Sequence, residues 1–412
     1  MILFFLTSGL FLGWSLGAND ASNVFGSAVG SKMVSFRNAA IIASIAVIFG
    51  AVIQGEGATQ TLGKLGAVNA LGGSFTLALA AAVTIYVMTK LALPVSTTQA
   101  IVGAIIGWNI FTGNRTDSGT LSKIVITWVT GPILGAGFAI LLFILINKIK
   151  KASKVHLIRF ESYIRAGLII VGAFGAYSLG ANNIANVMGV FVPAFNLQPL
   201  DLGLFFLSSS QQLFLLGGLA IAVGIITYSK KVMETIGGNI VELSSEGAMV
   251  VVLAASLVLF IFSSSWLSSI CARIGLPPIP MVPVSSSQVI VGCVIGIGLY
   301  KGARNINFKL LGGIALGWLA TPVMSGLLAF FSLFFVKNIF NIEVGNKIAE
   351  GTLPADNIAV AAGDPAVSGI IRVLLAGIIA AGFLAALLFW LFERKKRRDL
   401  RLSEQKFWKY LK

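Results

Sequence analysis

Eleven apolar stretches of 18–30 residues follow one another along this chain, and they decide what it can fold into. They are 1–30, 38–55, 73–92, 94–111, 122–147, 163–190, 203–228, 246–270, 283–300, 309–336 and 367–392. A helix that crosses a bilayer needs about 20 apolar residues. Charged residues make up only 11% of the 412 positions, against about 25% in a soluble domain. That is too little polar surface to cover a globule in water. The chain therefore reads as an all-α polytopic protein, multi-pass in the cell membrane and in contact with its lipids. Its 46 glycines suit close helix packing, because small residues let backbones approach in lipid.

Two polar motifs interrupt the apolar sequence, and each is written twice. Residues 15–26 read SLGANDASNVFG and residues 178–189 read SLGANNIANVMG, with eight of twelve positions identical at an offset of 163. Residues 94–107 read PVSTTQAIVGAIIG and residues 283–296 read PVSSSQVIVGCVIG, with nine of fourteen identical at an offset of 189. Thr61-Leu62-Gly63 matches Thr235-Ile236-Gly237, and Trp128 and Pro132 match Trp318 and Pro322 at an offset of 190. The growing offset places insertions in the second copy, mainly around Pro277-Pro278-Ile279-Pro280. Polar residues are costly in lipid and mark a pathway or site. Duplicated segments interrupted by Gly and Pro point to the binding site of a secondary transporter.

The net charge of +15 comes from clustered bases. Nine Lys and Arg lie between Arg394 and Lys412, and six between Lys148 and Arg165. They flank apolar spans, as positive-inside topology requires, so no nucleic-acid partner is expected. The segment 337–366 carries Glu343, Glu350, Asp356 and Asp364 against Lys337 and Lys347. Its balance places it outside. Repeat 1 then spans 1–147, a basic cytoplasmic linker 148–162, and repeat 2 163–336. An extracytoplasmic loop 337–366, a last transmembrane helix 367–393 and a basic cytoplasmic tail 394–412 complete the chain. Five membrane elements per repeat put the N-terminus outside and the C-terminus in the cytoplasm, and make the two repeats antiparallel. The expected fold is two inverted-topology repeats with helices broken at 17–20 and 180–183, re-entrant half-helices or hairpins, and a C-terminal helix.

The second motif suits an anion. Proline and a Ser or Thr cap are signatures of a helix start. The first N–H groups of a helix lack internal partners, and with the dipole they attract anions, phosphate especially. Ser96, Thr97, Thr98 and Gln99 add side-chain donors, and Ser285, Ser286, Ser287 and Gln288 repeat the set. Helix capping alone is the simpler account of one copy and a poor account of two. The first motif suits a cation. Asn19 and Asn23 share a helix face, as do Asn182 and Asn186. Amide and carbonyl oxygens are ligands for hard cations. Asp20 adds a negative charge where its counterpart is Asn183. Interhelical hydrogen bonding would explain one asparagine but not two matched clusters. Lys90 and Arg273 precede the anion motifs and suit either anion attraction or snorkelling. Cys271 and Cys293 have no metal-binding spacing and read as packing residues. No nucleophile–base pair or catalytic metal set appears, so no enzyme is expected.

The paired GAND-x-x-N and P-V-S-[TS]-[TS]-Q signatures resemble the inorganic phosphate transporter (PiT) family, over residues 1 to about 336. The resemblance implies a homodimeric carrier of inorganic phosphate driven by Na⁺ or H⁺. It implies phosphate at Thr97, Thr98, Gln99, Ser286, Ser287 and Gln288, and sodium around Asn19, Asp20, Asn23, Asn182, Asn183 and Asn186. Family members often carry His where Gln99 and Gln288 stand here. Gln cannot titrate, which favours Na⁺ as the coupling ion, with no other cofactor. The family's acid in the second span is missing, since 45–50 read Ile-Ala-Val-Ile-Phe-Gly. The expected function is Na⁺-coupled phosphate import by alternating access. An H⁺-coupled carrier, a carrier of sulfate or arsenate, and an anion channel are the alternatives.

Overall fold

The computed structural model describes residues 2–90, 95–153, 156–195, 197–201, 206–236, 244–302 and 308–346. The expected last helix, the basic tail and most of the acidic loop lie outside the described residues.

The first copy begins with α1 (Ile2–Gly30) and α2 (Phe36–Gln54), and continues through α3 (Glu56–Leu65), α4 (Leu71–Lys90) and α5 (Thr97–Thr112) to α6 (Ser118–Ser153). The second copy contains α7 (Leu157–Met188), α8 (Ser209–Ile236), α9 (Ser245–Ser263), α10 (Ser265–Arg273), α11 (Ser286–Tyr300) and α12 (Phe308–Asn338). A two-rung hairpin, β1 (Leu200–Asp201) with β2 (Phe206–Leu207), precedes α8. Seven of the described helices are long and apolar enough to cross a membrane. In lipid only a helix or a closed barrel satisfies every main-chain polar group, which is why apolar runs of this length become helices.

Three features depart from the sequence reading. The short helices α3 and α10 are not visible as apolar runs, and the stretch 246–270 divides at Ser264, whose Oγ caps α10 by accepting from Leu267 N at 3.2 Å. The basic linker is mostly helical, since α6 runs to Ser153 and α7 starts at Leu157. The largest correction concerns the expected breaks at 17–20 and 180–183. Both α1 and α7 run through their Gly-Ala-Asn motifs without interruption. The glycines serve packing instead. A Cβ on Gly17 would collide with Ile221 O of α8, and one on Gly180 would collide with Val47 O of α2. A glycine inside a membrane helix lets another backbone touch it, and that contact offsets its poor helix propensity.

These contacts are reciprocal between the copies. Gly224 of α8 meets Trp14 O of α1, just as Gly50 of α2 meets Tyr177 O of α7. Gly103 of α5 meets Pro322 O of α12, and Gly292 of α11 meets Pro132 O of α6. The closest main-chain contacts of each copy are thus made with helices of the other. The motif-bearing helices α1 and α7 lie antiparallel: Phe191 covers Gly9, Val187 covers Gly13 and Phe25 covers Gly172.

The arms α4 and α5 form a hairpin. Phe75 near the start of α4 stacks on Phe4 of α1 at 5.2 Å. The end of α4 (Ile85, Thr89, Lys90) lies beside Trp14, Ser15 and Ala18, so α4 runs along α1 in the same direction. Helix α5 returns, and Trp108 near its end lies against Gly73. The end of α4 therefore lies partway down α1, next to its Asn-Asp motif. In the second copy α9 runs along α7, with Met249 on Gly167 and Ser256 on Gly175. Its tip is enlarged by α10 and residues 274–285, where the sequence insertions fall.

Replacing Gly180 by Ala is expected to destabilise the protein by about 1–3 kcal/mol, because the new methyl collides with main chain rather than a flexible side chain. Gly137→Ala, with nothing within 4 Å of the new Cβ, should leave stability unchanged or slightly raised. Thermal unfolding of the purified variants in detergent checks both.

Candidate functional site

The starts of α5 and α11 meet between α1 and α7, and this is where every expected site residue except Asn23 is buried. Local sequence makes both starts alike. Ser96 caps α5 by accepting from Gln99 N at 3.3 Å, and Ser285 caps α11 by accepting from Gln288 N at 3.3 Å. The preceding valines, Val95 and Val284, are fully enclosed. Thr97, Thr98, Ser286 and Ser287 occupy the first two helical positions, and their main-chain N–H groups have no acceptor among the described residues. Four uncommitted N–H groups at the positive ends of two helix dipoles, with hydroxyls alongside, form a binding surface for a small oxyanion.

The asparagine motifs hold the two starts in place. Asn186 Nδ2 donates to Thr98 Oγ1 at 2.9 Å and to Asn183 Oδ1 at 2.9 Å. Asn182 makes a two-point contact with main chain, donating from Nδ2 to Val284 O at 2.7 Å and accepting from Val284 N at 2.9 Å. Thr98 Oγ1 also approaches Val284 O at 3.5 Å, so the two starts touch directly. Asn183 Nδ2 donates to Leu179 O within its own helix at 3.1 Å.

Asp20 is the acid of the site. It is 1% exposed, and Ser286 Oγ donates to its Oδ2 at 2.8 Å while Asn19 Nδ2 donates to its Oδ1 at 3.0 Å. No Lys or Arg pairs with it among the described residues. A buried carboxylate without a cation is costly even with two hydrogen bonds. Asn19, Asp20 and Asn23 offer only hard oxygen ligands, which suits a small cation that would offset that charge. The side chain of Asn23 is half-buried and makes no hydrogen bond to the described residues. Thr97 Oγ1, Gln99 Oε1, Gln288 Oε1 and Asn186 Oδ1 are buried without a protein partner. Buried polar atoms are normally satisfied, so four orphans at one site point to an external ligand.

Some features of the site escape the sequence. The main chain of Val284 carries no side-chain signal, yet it is the anchor for Asn182. Ser15, buried and unpartnered, opens the first motif and lines a cavity with Trp14, Tyr86, Lys90 and Tyr228. Lys90 Nζ sits 5.4 Å from the Tyr86 ring centre. Glu56 heads α3, and Glu246 pairs with Lys150. The side chain of Glu234 lies outside the described residues.

Residues 16–329 match the family described as the phosphate transporter family. A putative phosphate permease of Pyrococcus furiosus is 28% identical over 404 residues, covering 80% of this chain and 94% of the relative. One of Haemophilus influenzae is 25% identical, covering 81% and 96%. A solved structure of a protein named as a sodium-dependent phosphate transporter superposes with a TM-score of 0.64 at 23% identity, covering 82% of this chain and 99% of the other.

Loss of either cap should shorten its helix start. Ser96→Ala and Ser285→Ala are each expected to cost about 1 kcal/mol, read as a lowered unfolding temperature.

Proposed function

The chain belongs to the phosphate transporter family, and from that premise we propose that it imports inorganic phosphate together with Na⁺ by alternating access. It is a transporter of the multi-pass membrane class, not an enzyme. The observation that carries the finer reading is the meeting of an anion surface with an acid: Ser286, at the start of α11, donates to Asp20 Oδ2. Phosphate binds at the starts of α5 and α11, through the free N–H groups of Thr97, Thr98, Ser286 and Ser287, their hydroxyls, and the amides of Gln99 and Gln288. Ser96 and Ser285 act chiefly as caps that fix those N–H groups. Sodium binds on the α1 side, with Asp20 as the charged ligand and Asn19 and Asn23 as neutral ones. Asn183 and Asn186 offer the matching oxygens on α7. The structural neighbour is named as sodium-dependent, which supports the choice of ion.

The order of events follows from charge. Sodium binds first and neutralises Asp20, which otherwise repels an anion a few ångströms away. Phosphate then meets a surface that is net positive. Carrying H₂PO₄⁻ inward alone opposes an inside-negative potential by about 2.3 kcal/mol per 100 mV. Two Na⁺ per phosphate reverse the sign and make uptake electrogenic. The two copies form inverted repeats, 1–147 and 163–336, with the N-terminus outside. The antiparallel setting of α1 against α7 and the reciprocal glycine contacts support that plan. Rocking of one bundle on the other exposes the site to each side in turn. The carrier works as a homodimer.

A second reading, proton coupling, is favoured by one observation: Asp20 is buried without a cationic partner among the described residues. Uptake of ³²P-phosphate into proteoliposomes under separate Na⁺ and pH gradients distinguishes the two. Uptake is expected with the Na⁺ gradient and not with the pH gradient, and uptake driven by pH alone overturns the sodium assignment. Asp20→Asn should abolish concentrative uptake. Thr98→Ala removes a donor to a charged ligand, worth about 1.5–3 kcal/mol, so half-saturation for phosphate should rise at least tenfold.

A further inference from the structure

The two copies of the site are alike in sequence but not in contact. At an offset of 163, Asn19 corresponds to Asn182 and Asn23 to Asn186. At an offset of 189, Val95 corresponds to Val284 and Thr98 to Ser287. Each valine immediately precedes the cap of its helix, Ser96 or Ser285. In the second copy, Asn182 holds both main-chain groups of Val284, at 2.7 and 2.9 Å. In the first copy, the main-chain groups of Val95 have no hydrogen bond to any described residue, although Val95 is 1% exposed. Asn19 turns its amide to Asp20 instead, at 3.0 Å. The next pair differs in the same way: Asn186 holds Thr98, while Asn23 does not hold Ser287.

We infer that Asn182 and Asn19 are positioning residues that grip the main chain ahead of the two anion-binding helix starts in alternation. Asn182 holds Val284 in the present conformation, and Asn19 holds Val95 when the carrier faces the opposite side. The inference rests on the carrier reading of this site and adds a division of labour to it. An amide that donates to a C=O and accepts from an N–H of one residue matches a main-chain edge at both points. Its grip sets where the N–H groups of Ser286 and Ser287 point. The equivalence of the copies makes the released first site the image of what the second becomes. Two buried states of similar internal energy, exchanged by swapping one clamp for the other, are what an alternating carrier requires.

Hydrogen–deuterium exchange of the full-length protein in lipid nanodiscs tests this without requiring transport. In the wild type, the Val284 amide should exchange slowly and the Val95 amide quickly. Asn182→Ala should speed exchange at Val284 at least tenfold and slow it at Val95 at least threefold, because the protein shifts to the other clamp. Asn182→Asp keeps the acceptor for Val284 N–H and should give an intermediate change, and it serves if the alanine variant does not fold. Adding Asn19→Ala to Asn182→Ala should remove the slowing at Val95. Faster exchange at Val284 with no slowing at Val95 would mean a local structural role only and would overturn the inference. Failure of Na⁺-driven phosphate uptake would instead remove the transport reading and leave the exchange pattern standing.

Discussion

A buried carboxylate where α1 meets the start of α11 organises this protein. Asp20 lies on α1 and accepts from Ser286 at the start of α11, while Asn186 of α7 holds Thr98 at the start of α5. Placing a carboxylate there is expensive in an apolar surround, and the molecule meets the cost with hydroxyls, amides and helix ends rather than with a basic residue. That choice leaves the site able to respond to mobile ions. A fixed Lys or Arg would satisfy Asp20 permanently.

The scaffold around the site is built to bring main chains together. Proline at 132 and 322, and glycine at 103 and 292, let each return arm, α5 and α11, lie directly on a helix of the other copy. Backbone contact of this kind is short and intolerant of added atoms, so the hairpin arms have little freedom along α6 and α12. The starts of α5 and α11 are held instead by asparagine side chains, Asn186 on Thr98 and Asn182 on Val284.

The enlarged tip of the second copy breaks the symmetry. Helix α10 and residues 274–285 extend the α9–α11 hairpin, and Thr61 Oγ1 donates to Met281 O to tie that extension to α3. The first copy has only six residues between α4 and α5. Together with Asp20 where the second copy has Asn183, this makes the two faces of the site inequivalent.

Sequence alone determined the class and the duplication, and it singled out the residues that the fold gathers around the starts of α5 and α11. Apolar run length and sparse charge dictate membrane helices, because unpaired main-chain groups are not tolerated in lipid. The two repeated motifs located Asn19 and Asn23 on α1 and Thr97 and Thr98 at the start of α5. The same motifs suggested breaks at Gly17 and Gly180, because a glycine that relaxes a helix and one that admits a neighbouring backbone are the same letter. Only the tertiary structure decided between them, through Ile221 O and Val47 O. It alone also revealed that Asn182 spends both amide atoms on Val284 while Asn19 does not. Two copies with equivalent residues carry the same information in sequence, and their unequal contacts exist only once the helices are packed.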